Sequence, residues 1–98
     1  MALQIVRAGI KPGHAADLEA AAAKVFTALS ELQPQGLRYA SLRLADDSYL
    51  IVLDVADGTD NPLPSIAAFQ EFQAGLQRWL SGAPVIESAS VVGSYRVL

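Results

Sequence analysis

The chain has no cysteine among its 98 residues. Disulfides, thiolate nucleophiles and cysteine-based metal sites are therefore excluded, and a reducing, cytoplasmic location is expected. Histidine occurs once, as His14. One imidazole and scattered acids make no metal site, so no metal is expected. A Ser-His-Asp set would have to be built on a histidine at a helix start just after Pro12-Gly13, where a solvated ring is the plainer reading. Charge is also scarce, at 17% of residues against about 25% in an ordinary domain. Seven Lys and Arg oppose ten Asp and Glu, for a net charge of −3. Arg7, Arg38, Arg43, Arg78 and Arg96 are scattered among those acids, so no basic face for nucleic acid is expected. No apolar run reaches the ~18 residues that span a membrane. Met1 to Arg7 lack the basic-then-apolar order of a secretory leader, and none is expected.

Apolar residues are abundant, at 52%. A single domain over residues 1–98 is expected, and a chain of this length buries roughly 60–70% of its unfolded surface. Alanine explains part of the apolar surplus, since Ala15, Ala16, Ala20, Ala21, Ala22 and Ala23 fall in one segment. It does not explain the aliphatic strands. Those point to a face covered by a partner or to a lined cavity.

Ala2 to Ile10 reads as a first strand. Leu3 and Ile5 share one face, and Val6, Ala8 and Ile10 the other, as in a strand covered on both sides. Lys11-Pro12-Gly13 ends it. Leu18, Ala22, Val25, Leu29 and Leu32, with Phe26 on the flank, predict a helix from about His14 to Gln33. Pro34 and Gly36 stop that helix. Leu37 to Leu44 and Ser48 to Val55 predict a hairpin turned at Asp46-Asp47. In the second of these strands Tyr49, Ile51, Leu53 and Val55 oppose Leu50 and Val52, so it belongs in the centre of a sheet. Ala56 to Leu63 reads as a flexible loop. Its spaced Asp57 and Asp60, with Asp54 before it, lack the glycine and terminal Glu of a calcium loop. Ser65, Phe69, Phe72, Leu76, Trp79 and Leu80 predict a second helix from about Pro64 or Ser65 to Leu80.

The last strand is the unusual element. It runs from Pro84 to Leu98, about fourteen residues where ~5–6 is typical. Gly93 interrupts it, and glycine inside a strand often marks a bend. Pairing with its own sheet up to about Gly93, followed by a crossing arm onto a second copy, is the expectation.

The order βαββαβ with an antiparallel sheet predicts an α+β, ferredoxin-like domain with two helices on one face of four strands. Two stretches then resemble the antibiotic-biosynthesis-monooxygenase-like family, the dimeric α+β barrels. Val6-Arg7-Ala8-Gly9-Ile10-Lys11-Pro12-Gly13-His14 is similar to that family's apolar strand followed by Lys-Pro-Gly. Gln33-Pro34-Gln35-Gly36-Leu37-Arg38-Tyr39 looks like its Pro-Gly-x-x-Tyr approach to the second strand, with one residue inserted. The resemblance implies a homodimer formed through the sheet face and strand 84–98, and a pocket between sheet and helices. The family includes cofactor-free oxygenases of aromatic polyketides and haem-degrading enzymes. The haem branch uses Asn on the first strand, and Trp and His on or near the second helix. This chain has Val6, Phe72 and no histidine there, so haem degradation is not expected.

Oxygenase chemistry without a cofactor needs aromatic walls, one or two hydrogen-bond donors and a cation near a developing phenolate. Tyr39, Trp79 and Arg38 are the candidate catalytic residues. Phe69, Phe72, Phe26 and Tyr95 are the candidates to line a site for a small hydroxylated aromatic or quinone. An aromatic stripe at helical spacing also serves as plain core. Three functions therefore stay open at this point: a cofactor-free oxygenase, a silent small-molecule binder, and a structural dimerisation module.

Overall fold

Apolar side chains on both faces of the segments around Val6 and Ile51 require cover from two sides. The computed structural model, which describes residues 2–96, places both strands at the centre of the sheet. The elements run β1 (Ala2–Gly9), α1 (Ala15–Leu32), β2 (Leu37–Arg43), β3 (Ser48–Val55), a 3-10 turn (Leu63–Ser65), α2 (Ala67–Trp79) and β4 (Val85–Ser90). The four strands order as β2-β3-β1-β4, and every pairing is antiparallel. This is the expected α+β, ferredoxin-like fold.

Register fixes the two faces of the sheet, because neighbouring side chains point to opposite sides. Gln4, Val6 and Ala8 lie opposite Leu53, Ile51 and Tyr49. This is the face beneath the helices, and its core joins Ile10, Tyr49 and Ile51 to Leu18, Val25 and Phe72. On the other face Ile5 lies opposite Val52 and Arg7 opposite Leu50, with Leu42 beside Leu50. These aliphatic side chains are only half-buried in the single chain.

Helix α1 begins after Gly13, whose φ of 82° suits glycine. Its first turn is capped by backbone alone, with the Leu18 N–H donating to the His14 carbonyl at 3.1 Å. The helix ends at Gln33, which takes a left-handed conformation. Leu18 and Val25 are fully buried, but Leu32 is 63% exposed. As the last helical residue, it carries the stripe past the layer beneath.

The hairpin places only one of its two aspartates at positive φ, Asp47 at 61°. The Asp47 N–H donates to the Leu44 carbonyl at 3.1 Å, and Asp46 Oδ1 accepts from the Ser48 N–H at 3.1 Å. The side chain of Asp46 thus shapes the turn in place of a second left-handed residue.

Two expectations need correction. The segment before α2 is not a free loop. Leu63 is fully buried and Ile66 is 7% exposed. The Leu63 N–H is held by Asn61 Oδ1 at 3.0 Å, so a 3-10 turn precedes a helix that starts at Ala67. The last strand is also shorter than expected, since β4 stops at Ser90. The register explains the stop: Ser90 pairs with Ala2, the first residue of β1. Among the described residues β1 offers no partner beyond Ala2. Residues 91–96 are exposed. The expected positions Val97 and Leu98 lie outside the described residues.

Helix α2 is tied to the exit of β1 by backbone. The Lys11 N–H donates to the Trp79 carbonyl at 2.7 Å, and the Ser81 N–H donates to the Gly9 carbonyl at 3.0 Å. A Cβ on Gly9 would lie 2.5 Å from Ser81 Oγ, so a larger residue there would have to turn the Ser81 hydroxyl aside.

Candidate functional site

Five aromatic rings run in sequence between the helices and the sheet. Phe26 of α1 meets Tyr39 of β2 at 5.3 Å between centroids. Tyr39 meets Phe69 of α2 at 6.4 Å, Phe69 meets Phe72 at 6.3 Å, and Phe72 meets Tyr49 of β3 at 6.2 Å. Phe72 is 1% exposed. Four of the seven candidate residues, Phe26, Tyr39, Phe69 and Phe72, are therefore brought together. They touch one another as packed core.

The other three candidates lie elsewhere. Trp79 folds back over Gly75, one turn earlier in α2, where a Cβ would overlap the indole ring. Its ring faces an outer groove of about 570 Å³ between the two helices, lined also by Asp17, Lys24, Glu71 and Arg78. The Arg78 guanidinium lies 5.6 Å from the Trp79 ring. Arg38 is cross-strand from Asp54, on the face turned away from the helices. It precedes Tyr39 in the strand and must point the other way. Tyr95 is 80% exposed, beyond the end of β4, with Arg96 over its ring at 5.3 Å. The expected grouping of Arg38, Trp79 and Tyr95 with Tyr39 is thus corrected by strand alternation, by the Gly75 seat and by the early end of β4.

Alternation along β2 supplies the residues that do gather there. Tyr39, Ser41 and Arg43 share the helix-facing side, and Tyr49 of β3 pairs with Arg43. Between this edge and α1 lies a cleft of about 240 Å³ lined by Glu19, Ala22, Phe26, Ser41, Arg43 and Tyr49. Ala22, a small residue in the α1 stripe, leaves the space. A second recess of about 270 Å³ lies on the far side of Phe26, against Leu29, Leu37 and Tyr39.

Tyr49 is 5% exposed. Its hydroxyl and Ser41 Oγ are both buried without a hydrogen-bond partner among the described residues. Ser41 is near enough to both phenols to oppose part of their shifts, yet neither orphan atom has an aligned partner. Burial pushes the Tyr39 phenol up to about 12 and raises that of Tyr49 as well. Both phenols therefore stay protonated near neutral pH and can act as donors. At the mouth, Arg43 Nη1 donates to Glu19 Oε1 at 3.0 Å and Nη2 to Asp47 Oδ1 at 3.2 Å. These bonds hold the guanidinium further above its ordinary range.

The sequence reading missed Ser41, Arg43, Tyr49 and Glu19. The period-two count from Tyr39 carried the signal for Ser41 and Arg43. Nothing local carried it for Glu19, which arrives from α1. Among the described residues no cluster of His, Cys, Asp or Glu could hold a metal ion, and no helix is long and apolar enough to cross a membrane.

Solved structures resemble this architecture closely. The "Putative antibiotic biosynthesis monooxygenase" of Nitrosomonas europaea superposes with a TM-score of 0.76 at 14% identity, covering 95% of this chain and all of that one. The protein of the same description from Bordetella bronchiseptica gives a TM-score of 0.67 at 22% identity, over 93% of this chain and 96% of the other. The chain has the fold of these monooxygenase-like proteins. A Nitrosomonas europaea protein of unknown function shares the monooxygenase-like fold as well, with a TM-score of 0.71 at 17% identity over 99% of this chain and 94% of that one. No family model and no curated protein matches the sequence.

Chemically, the cleft offers a buried hydroxyl pair, an aromatic wall and a cation at its rim. Such a set can hold an oxygen that carries or develops negative charge. Its one carboxylate, Glu19, is engaged with Arg43.

Proposed function

We propose that the chain is a cytoplasmic, antibiotic-biosynthesis-monooxygenase-like protein that works as a homodimer, and that it oxidises a small hydroxylated aromatic without a cofactor. The observation that carries the chemistry is the pair of buried, unpartnered hydroxyls, Tyr49 OH and Ser41 Oγ, beside an aromatic wall. Leaving such groups unpaired costs about 1–3 kcal/mol each, and a ligand oxygen would satisfy them. In such a reaction the substrate supplies both electrons and both protons. In the keto tautomer of the phenol the ring carbon beside the carbonyl is a CH₂; it becomes C=O, one atom of dioxygen enters the product, and the other leaves as water with the two hydrogens. The Tyr49 and Ser41 hydroxyls and Arg43 would stabilise the enolate or phenolate that reacts with oxygen.

The half-buried aliphatic face of Ile5, Leu42, Leu50 and Val52 supports the homodimer reading. So does Val85 at the start of β4, 56% exposed. Packing this face on a second copy would remove that surface from water, and residues 91–96, exposed in the single chain, would cross to it. Light scattering should report twice the chain mass at micromolar concentration. A lasting monomer would refute the dimer.

The same unpartnered hydroxyls would hold a ligand that does not react, which gives a second reading, a binder without catalysis; the packed aromatic rings favour a third, a structural dimerisation module showing neither binding nor uptake. Oxygen uptake divides the first two. Consumption equimolar with substrate from a panel of single-ring resorcinols and hydroquinones, lost in Tyr49→Phe, supports the oxygenase. Saturable binding with no uptake supports the binder.

A further inference from the structure

The cleft between α1 and β2 has three properties that together narrow what it can take. The first is size. Its volume of about 240 Å³ falls below the roughly 300–1,000 Å³ of ordinary ligand pockets. That space matches a single ring and is small for a fused three-ring system.

The second property is polarity at depth. Tyr49 is 5% exposed; it lines the cleft together with Ser41, and the hydroxyls of both are buried with no protein partner among the described residues. Both atoms can donate to a single oxygen of a ligand.

The third property is charge at the mouth. Arg43 spans from Glu19 on α1 to Asp47 on the hairpin, and its side chain is 46% exposed, as is that of Glu19. Exposed ion pairs hold weakly, so the guanidinium can leave Glu19 for a ligand carboxylate at little cost. An anion there would replace one carboxylate partner by another, with bidentate geometry available.

We infer that this cleft is a binding site for a single-ring aromatic acid carrying a ring oxygen, the hydroxybenzoate class. The ring oxygen is held by Tyr49 and Ser41, the ring lies against Phe26, and the carboxylate takes the place of Glu19 on Arg43. The inference rests on the cleft assigned above and narrows what it accepts. Glu19 then acts as an internal competitor for Arg43, and its removal improves binding.

The test is calorimetric titration of the full chain with 4-hydroxybenzoate, neutral 4-hydroxybenzamide and three-ring 9-anthracenecarboxylate. 4-Hydroxybenzoate should saturate one site per chain, and 9-anthracenecarboxylate should not bind. Tyr49→Phe should weaken both single-ring ligands by about 3–10-fold, the share of one neutral hydrogen bond. Arg43→Gln should weaken the acid by about tenfold or more and leave the amide within about twofold. Glu19→Gln should tighten the acid alone. Circular dichroism of each variant checks folding, and Ser41→Ala is a second probe of the deep contact should Tyr49→Phe fold poorly.

No saturation by 4-hydroxybenzoate at millimolar concentration overturns the inference. So does binding that ignores both Tyr49→Phe and Arg43→Gln, or a three-ring acid that binds as well as the single ring. Ordered water alone in the cleft would give the first of these results. Oxygen uptake and light scattering report separately on the oxygenase and the dimer. Binding without uptake removes only the oxygenase, and uptake without 4-hydroxybenzoate binding removes only this inference.

Discussion

Replacing Tyr49 by Phe deletes one atom from the most enclosed polar position of the cleft. The ring would stay, because its packing against Phe72 at 6.2 Å does not involve the hydroxyl. The hydroxyl itself is buried and has no partner. A buried donor left unsatisfied costs about 1–3 kcal/mol, while a net satisfied hydrogen bond contributes about 0.5–1.5 kcal/mol. The sign of the change therefore reports the state of the atom. Without a partner, Tyr49→Phe should raise stability by about 1 kcal/mol or more. For a domain of about this size, 1 kcal/mol corresponds to a rise of roughly 4–8 °C in Tm. Urea unfolding at neutral pH, read by circular dichroism, measures it directly: the midpoint should rise with the slope unchanged. A fall in stability of about 1 kcal/mol or more would mean that the hydroxyl has a structural partner. That result would refute the reasoning that reserves it for a ligand. Proteins commonly trade stability for function at such positions, and the same variant should lose affinity as it gains stability.

Two further outcomes follow from other parts of the molecule. Gly75→Ala places a methyl group where the Trp79 ring now lies, so the indole should swing outward. Trp79 emission should shift to longer wavelength and the melting temperature should fall despite the better helix propensity of alanine; an unchanged emission spectrum would contradict the Gly75 seat. The folded-state pKa of Tyr39, pushed up to about 12 from 10.0, lies above the unfolded value. The folded chain thus binds the phenolic proton more tightly, and that stability is complete below about pH 10 and declines as the pH rises through about 12. Tyr39→Phe should flatten this alkaline decline in urea midpoints, and an equal decline in both proteins would contradict the burial of the phenol.

Much of the fold was legible because period-two and period-3.6 patterns are local. The bounds of β3 follow from Ser48 to Val55 alone, and the alternation of Val6 with Ile5 already separates the two faces. The errors arise where distant chain decides the outcome. The end of β4 depends on where β1 begins, since Ser90 is opposite Ala2, and nothing between Pro84 and Leu98 encodes that. Leu63 is buried through an Asn61 turn in a stretch whose composition reads as loop. The cleft is the clearest case. Arg38 is next to Tyr39 in sequence but faces the other way by the strand period, while Arg43 keeps the period. Glu19 joins only through the placement of α1, and an unpartnered hydroxyl such as that of Tyr49 is invisible until the fold has closed around it.

The two helices are attached to the sheet in unequal ways. The tail of α2 is stitched to the outgoing end of β1 by main-chain bonds from Lys11 and Ser81, and these cannot be released without disrupting the strand itself. On the β2 side, α1 is joined by side chains, the Phe26–Tyr39 ring contact and the Glu19–Arg43 bridge, the latter open to solvent. Of the two helices, α1 thus has the tie that solvent can loosen, while α2 keeps its main-chain bonds. Amide exchange should accordingly be slow along α2 near Trp79 and faster along the Glu19 side of α1.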